Sequence, residues 1–153
     1  MSASLWSTAL GYYAAAIVSA VVPWVNGELL MISAVPLVAT RPALAALVVA
    51  VTAGQMTGKT LMYWASRKSV RPRSAKVQRS IERWRARLQQ RPHSVLAVVF
   101  LSALIGIPPF FIVSVAAGAI GLAFPWFLAV GAAGRLAHFA VVAFVPEFVA
   151  RML

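Results

Sequence analysis

The sequence predicts an all-α polytopic membrane protein in which two re-entrant helical hairpins and two transmembrane helices form an inverted repeat. Three observations predict it. The 153-residue chain is 61% hydrophobic and 11% charged, with a mean hydropathy of +0.85, against roughly 45–50% and about 25% in soluble domains. Ten of the 14 Lys and Arg residues lie between Arg67 and Arg91, with Glu82 the only acid among them. The apolar sequence on either side of that belt is broken by helix-incompatible residues, first at Pro23 and then at Gly106, Pro108 and Pro109. A soluble domain of this length must cover itself with polar groups, so a soluble enzyme is excluded. With no cysteine, disulfides, thiolate catalysis and cysteine metal sites are excluded too.

The first apolar block is Leu5 to Val22. No basic segment precedes it and more apolar sequence follows, so it reads as part of the membrane domain and not as a removable signal. Its 18 residues make about 27 Å of helix, which leaves both a full span and a hairpin arm open. Pro23, Asn26 and Gly27 interrupt the run, and Glu28 to Ala39 forms a short second arm ahead of Arg41 and Pro42. Ala43 to Trp64 is the first span: its 22 residues make about 33 Å of helix against a hydrocarbon core of roughly 30 Å.

The basic belt follows. Val77, Ile81, Trp84 and Leu88 recur on one helical face, with Lys76, Arg79, Arg83 and Arg87 on the others, the pattern of an amphipathic helix at a membrane interface. Lys and Arg in short loops stay on the cytoplasmic side, which puts residues 67–91 inside. Their juxtamembrane position and the tryptophan favour anionic lipid as partner over nucleic acid. Ser94 to Ile105 spans only 12 residues, about 18 Å, and cannot cross. The chain turns at Gly106, Pro108 and Pro109, and Phe110 to Leu122 returns as a second arm. Phe124 to Val145 is the second span, with Pro125 in its first turn, where a missing N–H is harmless.

The halves repeat. Ser19-Ala20 matches Ser102-Ala103 and Pro42 matches Pro125 at an offset of 83, while Gly54-x-x-x-Gly58-Lys59 resembles Gly131-x-x-Gly134-Arg135 at offsets of 76 to 77. With the belt inside, the two spans run in opposite directions and one hairpin enters from each face, an arrangement that places a site near the midplane. The whole is one membrane domain: hairpin and span at 5–66, basic segment at 67–91, hairpin and span at 94–149. Two spans shield little polar surface, so a homo-oligomer is expected.

Few residues are equipped for chemistry. Glu28 lies among Leu29, Leu30, Met31 and Ile32, two residues after Asn26. An ionised carboxylate at membrane depth costs about 2.5–3.5 kcal/mol or more, so it needs a cationic partner or a proton; the alternative is a Glu at the interface beside a helix start. Lys59 and Arg135 are the partners on offer, each following a glycine that admits a neighbouring helix. One acid facing two cations leaves positive charge suited to phosphate, with Arg135 giving bidentate contacts and Lys59 a point charge, unless Lys59 snorkels to the headgroups. His138 shares the Arg135 face at i+3, as a proton relay, a phosphate ligand or a buried hydrogen-bonding residue. Glu147 and Arg151 take no role. No phosphate-binding loop, zinc spacing, nucleophile elbow or paired catalytic carboxylates occur, so neither an enzyme, a cofactor nor a metal is expected.

The run Val22-Pro23-Trp24-Val25-Asn26-Gly27-Glu28, with the later Tyr63-Trp64-Ala65-Ser66-Arg67, resembles the DedA family, also called the VTT or SNARE-associated Golgi protein domain. Gly106-Ile107-Pro108-Pro109-Phe110-Phe111, Ala116-Ala117-Gly118, Pro125-Trp126 and Gly134-Arg135 are similar to that family's second hairpin and last span, so the likeness covers residues 15–145. The resemblance implies two opposed re-entrant hairpins and movement of lipids between leaflets, as phospholipid scrambling, undecaprenyl phosphate recycling or proton-dependent homeostasis. It puts Glu28 at the position of the family's hairpin glutamate. Studied bacterial members carry two arginines around the second hairpin where this chain has Ser102, Ala103 and Pro109-Phe110, and Arg135 is the residue that would supply the charge. The expected function is therefore that of a scramblase or flippase for phosphate-bearing lipids in a bacterial inner membrane. The alternative is a non-transporting adaptor that binds anionic lipid or a partner through the basic loop.

Overall fold

The computed structural model describes residues 3–22, 27–38, 40–69 and 74–152, with side chains described over 5–22, 27–38, 40–68 and 74–145. These residues form seven α-helices and one 3-10 turn, with no strand among them: α1 (Ala3–Val21), α2 (Gly27–Ala34) running into the 3-10 turn (Val35–Leu37), α3 (Arg41–Ser69), α4 (Ala75–Gln90), α5 (Pro92–Ile105), α6 (Phe110–Ile120) and α7 (Phe124–Met152). Two stretches, Arg41–Lys68 and Phe124–Val145, are long and apolar enough to cross a membrane. Trp6, Leu10, Leu29, Leu37, Ile107 and Trp126 stand exposed, a surface poorly matched to water.

Local sequence explains the element ends. Thr40 opens α3, its hydroxyl accepting from the Ala43 N–H at 3.4 Å and its carbonyl from the Leu44 N–H at 3.0 Å. Gly106, at φ +82°, stops α5, and Pro109 leads directly into α6. The Ser102 hydroxyl donates to the Pro108 carbonyl at 2.6 Å and holds this turn. Gly121, also at φ +82°, ends α6: its N–H bonds the Gly118 carbonyl and the Leu122 N–H bonds that of Ala117, a closure that needs a left-handed residue. Pro23 and Asn26 lie outside the described residues.

The chain divides into two compact units, residues 1–58 with 135–153 and residues 59–134. The divisions fall at matching places, after Gly58 in α3 and after Gly134 in α7. Each unit therefore holds one helical hairpin, the first part of the long helix that follows it, and the last part of the other long helix. The parts correspond closely. α2 and α6 begin 83 residues apart, at Gly27 and Phe110; so do α3 and α7, at Arg41 and Phe124, and both long helices have 29 residues.

In the first unit Tyr12 and Ser33 hydroxyls meet at 3.1 Å, so α2 folds back along α1. Ala16, Met31, Ala34, Leu47, Val51, Phe139 and Ala143 form its core. Gly58 lets α1 approach: a Cβ placed there would lie 2.5 Å from the Ala20 Cβ and 2.9 Å from the Ile17 carbonyl oxygen. In the second unit Gly134 does the same for α5, with Ala103 Cβ at 2.7 Å and the Phe100 carbonyl oxygen at 2.9 Å. Ile17 and Ala20 map onto Phe100 and Ala103 at an offset of 83, whereas Gly58 maps onto Gly134 at 76. The long helix has slid by seven residues, about two turns, against the arm it carries.

The second unit is closed by aromatic rings and a polar tie. Tyr63, fully buried, stacks on Phe127 at 4.9 Å, and Phe127 stacks in turn on Phe110 at 6.1 Å. The Tyr63 hydroxyl donates to the Leu122 carbonyl and accepts from Arg67 Nη1, which also reaches the Leu122 oxygen at 3.1 Å. Tyr63→Phe removes a buried hydroxyl that serves both partners, and we expect a loss of about 1–2 kcal/mol, read as a lower thermal midpoint in detergent.

The amphipathic segment forms α4 as the spacing predicts, and its apolar face has a protein partner. Ile81, Trp84 and Leu88 are half-buried, and α4 packs on α5 and α6 with Arg85 Nη2 donating to the Ala119 carbonyl at 2.8 Å. Trp84 thus faces the short arms α5 and α6, where the hydrophobic periodicity alone suggested lipid.

Candidate functional site

Glu28 stands in the first turn of α2, where the helix dipole favours a carboxylate. Its Oε1 lies 3.3 Å from His138 Nε2 on α7, an ion pair whenever the imidazole is protonated. The carboxylate is 52% exposed and the imidazole 13%, so the pair sits at the edge of the unit with its histidine side enclosed. Arg135, one turn before His138, feels the same carboxylate through space. Its guanidinium lies 5.8 Å from the Phe139 ring centroid, and His138 meets that ring edge-on at 5.3 Å. The i, i+3 and i+4 spacing of Arg135, His138 and Phe139 brings all three to the side of α7 that meets α2. Glu28 is therefore answered by an imidazole and, through space, by a guanidinium of a helix more than 100 residues away in sequence.

Behind the pair lies a neutral polar contact that charge-led reading misses. Gln55 on α3 is buried and donates through Nε2 to the hydroxyl of Ser19 on α1, which itself donates to the Ala16 carbonyl at 3.0 Å. Gly27 admits this side chain: a Cβ at that position would fall 2.7 Å from Gln55 Nε2. The glycine before Glu28 thus allows the start of α2 to lie against Gln55 and, at 3.5 Å, the ring edge of Phe139. The available signal was Gln55 itself, an amide set between Gly54 and Gly58 in an otherwise apolar span.

Lys59 is the first residue of the second unit and only 5% exposed, an enclosure at odds with a side chain snorkelling to a surface. Asn26 lies outside the described residues, and the side chains of Glu147 and Arg151 do too. Gly106, Pro108 and Pro109 occupy the turn between α5 and α6.

The helical repeat carries one chemical asymmetry. Lys59 and Arg135 correspond at the offset of 76, and Tyr63 and Phe139, both fully buried, follow them by one turn. Glu28 corresponds to Phe111 at the offset of 83, and Gln55 corresponds to Gly131 at 76. The cation is duplicated and its acid is not. Comparison with protein-family models, curated proteins and solved structures finds no match to the chain.

Proposed function

We propose that this is an integral membrane protein that lets phosphate-bearing lipid headgroups cross the bilayer past the cluster of Glu28, His138 and Arg135. The observation that carries the reading is the 3.3 Å approach of the Glu28 carboxylate to His138, with Arg135 within its electrostatic reach, in a unit that exposes large apolar side chains. Two helices of spanning length support a membrane location, and the basic belt supports a cytoplasmic side for residues 67–91 of an inner-membrane protein. In this setting α1–α2 and α5–α6 are re-entrant hairpins entering from opposite faces, as the resemblance to the DedA family implies.

The chemistry follows from the charges. Arg135 offers two parallel N–H donors to a phosphate, and Glu28 holds that guanidinium until the phosphate arrives. As the phosphate replaces the carboxylate, Glu28 turns to His138 or takes up a proton, so no bare charge is left in hydrocarbon. The half-exposed position of Glu28 suits this exchange, since a sealed carboxylate would be out of a headgroup's reach.

Purified protein in vesicles of phosphatidylglycerol and phosphatidylcholine, with headgroup-labelled lipid quenched from outside, tests the reading. Transfer should exceed that of protein-free vesicles and be faster for the anionic headgroup; equal rates with and without protein would overturn it. The exposed basic face of α4 favours a second reading, a membrane adaptor. Neutralising the cations over residues 71–91 separates the two: a translocator keeps most of its rate, whereas an adaptor loses its binding.

A further inference from the structure

A cavity of about 200 Å³ lies in the second unit among α4, α5 and α6. Trp84 lines it from α4, Val95 and Val99 from α5, Ile112 and Ala116 from α6, and Pro108 from the turn between them. Pockets for whole drug-sized ligands hold roughly 300–1,000 Å³; this one is smaller and lined largely by hydrocarbon, a volume that suits part of one acyl chain. Apart from the Trp84 indole, the lining is hydrocarbon, with no set of polar side chains to orient a peptide.

The cavity also lies against charge. Arg87 places its guanidinium 5.0 Å from the centroid of the Trp84 ring that forms part of the cavity's wall. Arg85, through the Ala119 carbonyl, fastens α4 across the end of α6. α4 carries Lys76, Arg79, Arg83, Arg85 and Arg87 against the single acid Glu82. An apolar slot with a cation stacked on its wall fits a ligand with an anionic head on a hydrocarbon tail. We propose that this cavity holds one acyl chain of an anionic phospholipid whose phosphate is bound by Arg87. The site rests only on the membrane setting of the proposed function, and none of its residues belongs to the Glu28 cluster. The lipid bound here tethers α4 to the cytoplasmic leaflet through its tail as well as its charge.

The test uses the full chain in detergent micelles, titrated with phosphatidylglycerol bearing a parinaroyl chain and followed by energy transfer from tryptophan, with the matching phosphatidylcholine as reference. Phosphatidylglycerol should bind about tenfold or more tightly than phosphatidylcholine, as a desolvated charge-assisted contact implies. Ala116→Phe, which fills the cavity, should weaken both lipids about tenfold. Arg87→Gln should bring phosphatidylglycerol to the level of phosphatidylcholine and leave the latter unchanged. If Ala116→Phe loses its helical circular dichroism, Val98→Phe enters the same cavity from α5 and carries the same expectation. Unchanged affinities in the filled variant, or an unchanged preference in Arg87→Gln, overturn the proposal. A change in sedimentation without a change in lipid affinity also overturns it and makes the groove an interface between copies. Because Glu28→Gln leaves this site intact, it should keep lipid binding here, and unchanged transfer in that variant with binding retained would count against the transfer mechanism alone.

Discussion

Glu28→Gln is expected to slow lipid transfer about tenfold or more, with the protein still folded and helical. Glutamine keeps the shape of the side chain and removes only the negative charge that faces His138 at 3.3 Å and acts on Arg135. Taking one partner from a desolvated charge pair costs roughly 2–5 kcal/mol, much of it from the cation left behind, and each 1.4 kcal/mol is a factor of ten. This carboxylate is half exposed, so its pair falls between that range and the roughly 0–1 kcal/mol of exposed pairs, near the ~1.4 kcal/mol of a tenfold loss. Arg135→Gln should lose as much, since it removes the phosphate contact itself. His138→Asn should lose less, about fivefold for roughly 1 kcal/mol, because the exposed partner gains less from the pairing. The measured quantity is the initial rate in reconstituted vesicles, normalised to the amount of protein incorporated. Equal rates in all three variants and the wild-type chain would remove the cluster from the mechanism.

Gly54→Ala and Gly118→Ala should each destabilise the fold by about 1–2 kcal/mol net, although alanine is the better helix former. A Cβ at Gly54 would run into the Tyr13 carbonyl oxygen and lie 2.8 Å from the Ala16 Cβ. One at Gly118 would meet the carbonyl oxygen of Tyr63 and the hydroxyl of Ser66. Backbone atoms of a packed helix cannot swing aside as a flexible side chain can, so α1 must move off α3, or α6 off α3. Overpacking of this kind costs roughly 1–3 kcal/mol, and the gain in helix propensity returns about 1 kcal/mol at most. Gly11→Ala is the control: nothing lies within 4 Å of its Cβ position, so the substitution should be neutral or slightly stabilising. Thermal unfolding in detergent, followed by circular dichroism, should separate the two glycine classes by several degrees.

The same contrast shows what was legible beforehand. Length and apolar content locate α3 and α7 because a spanning helix has to be long, and Gly106, Pro108 and Pro109 locate the α5–α6 turn because they cannot continue one. Glu28, Arg135 and His138 stand out because charge is scarce in this chain and expensive where it falls. Gln55 and Ser19 carry no charge, and an amide in an apolar helix announces no partner; only the fold brings α1 against α3. The Ser19–Ser102 match at 83 and the glycine–cation match at 76 to 77 both show in the sequence, but that Tyr63 and Phe139, one turn further on, are both fully buried needs the fold. Periodicity identifies the apolar face of α4 yet cannot say what covers it, and in the fold Trp84 lies against α5 and α6.

A double-mutant cycle on the transfer rate, with Glu28→Gln, Arg135→Gln and the two combined, tests the pairing of acid and cation most directly. If the two side chains act through each other, the combined variant should be no slower than the slower single one, because removing the second charge relieves the partner stranded by the first. Losses that multiply, as for two independent groups, would contradict the pairing and with it the proposed path for the headgroup.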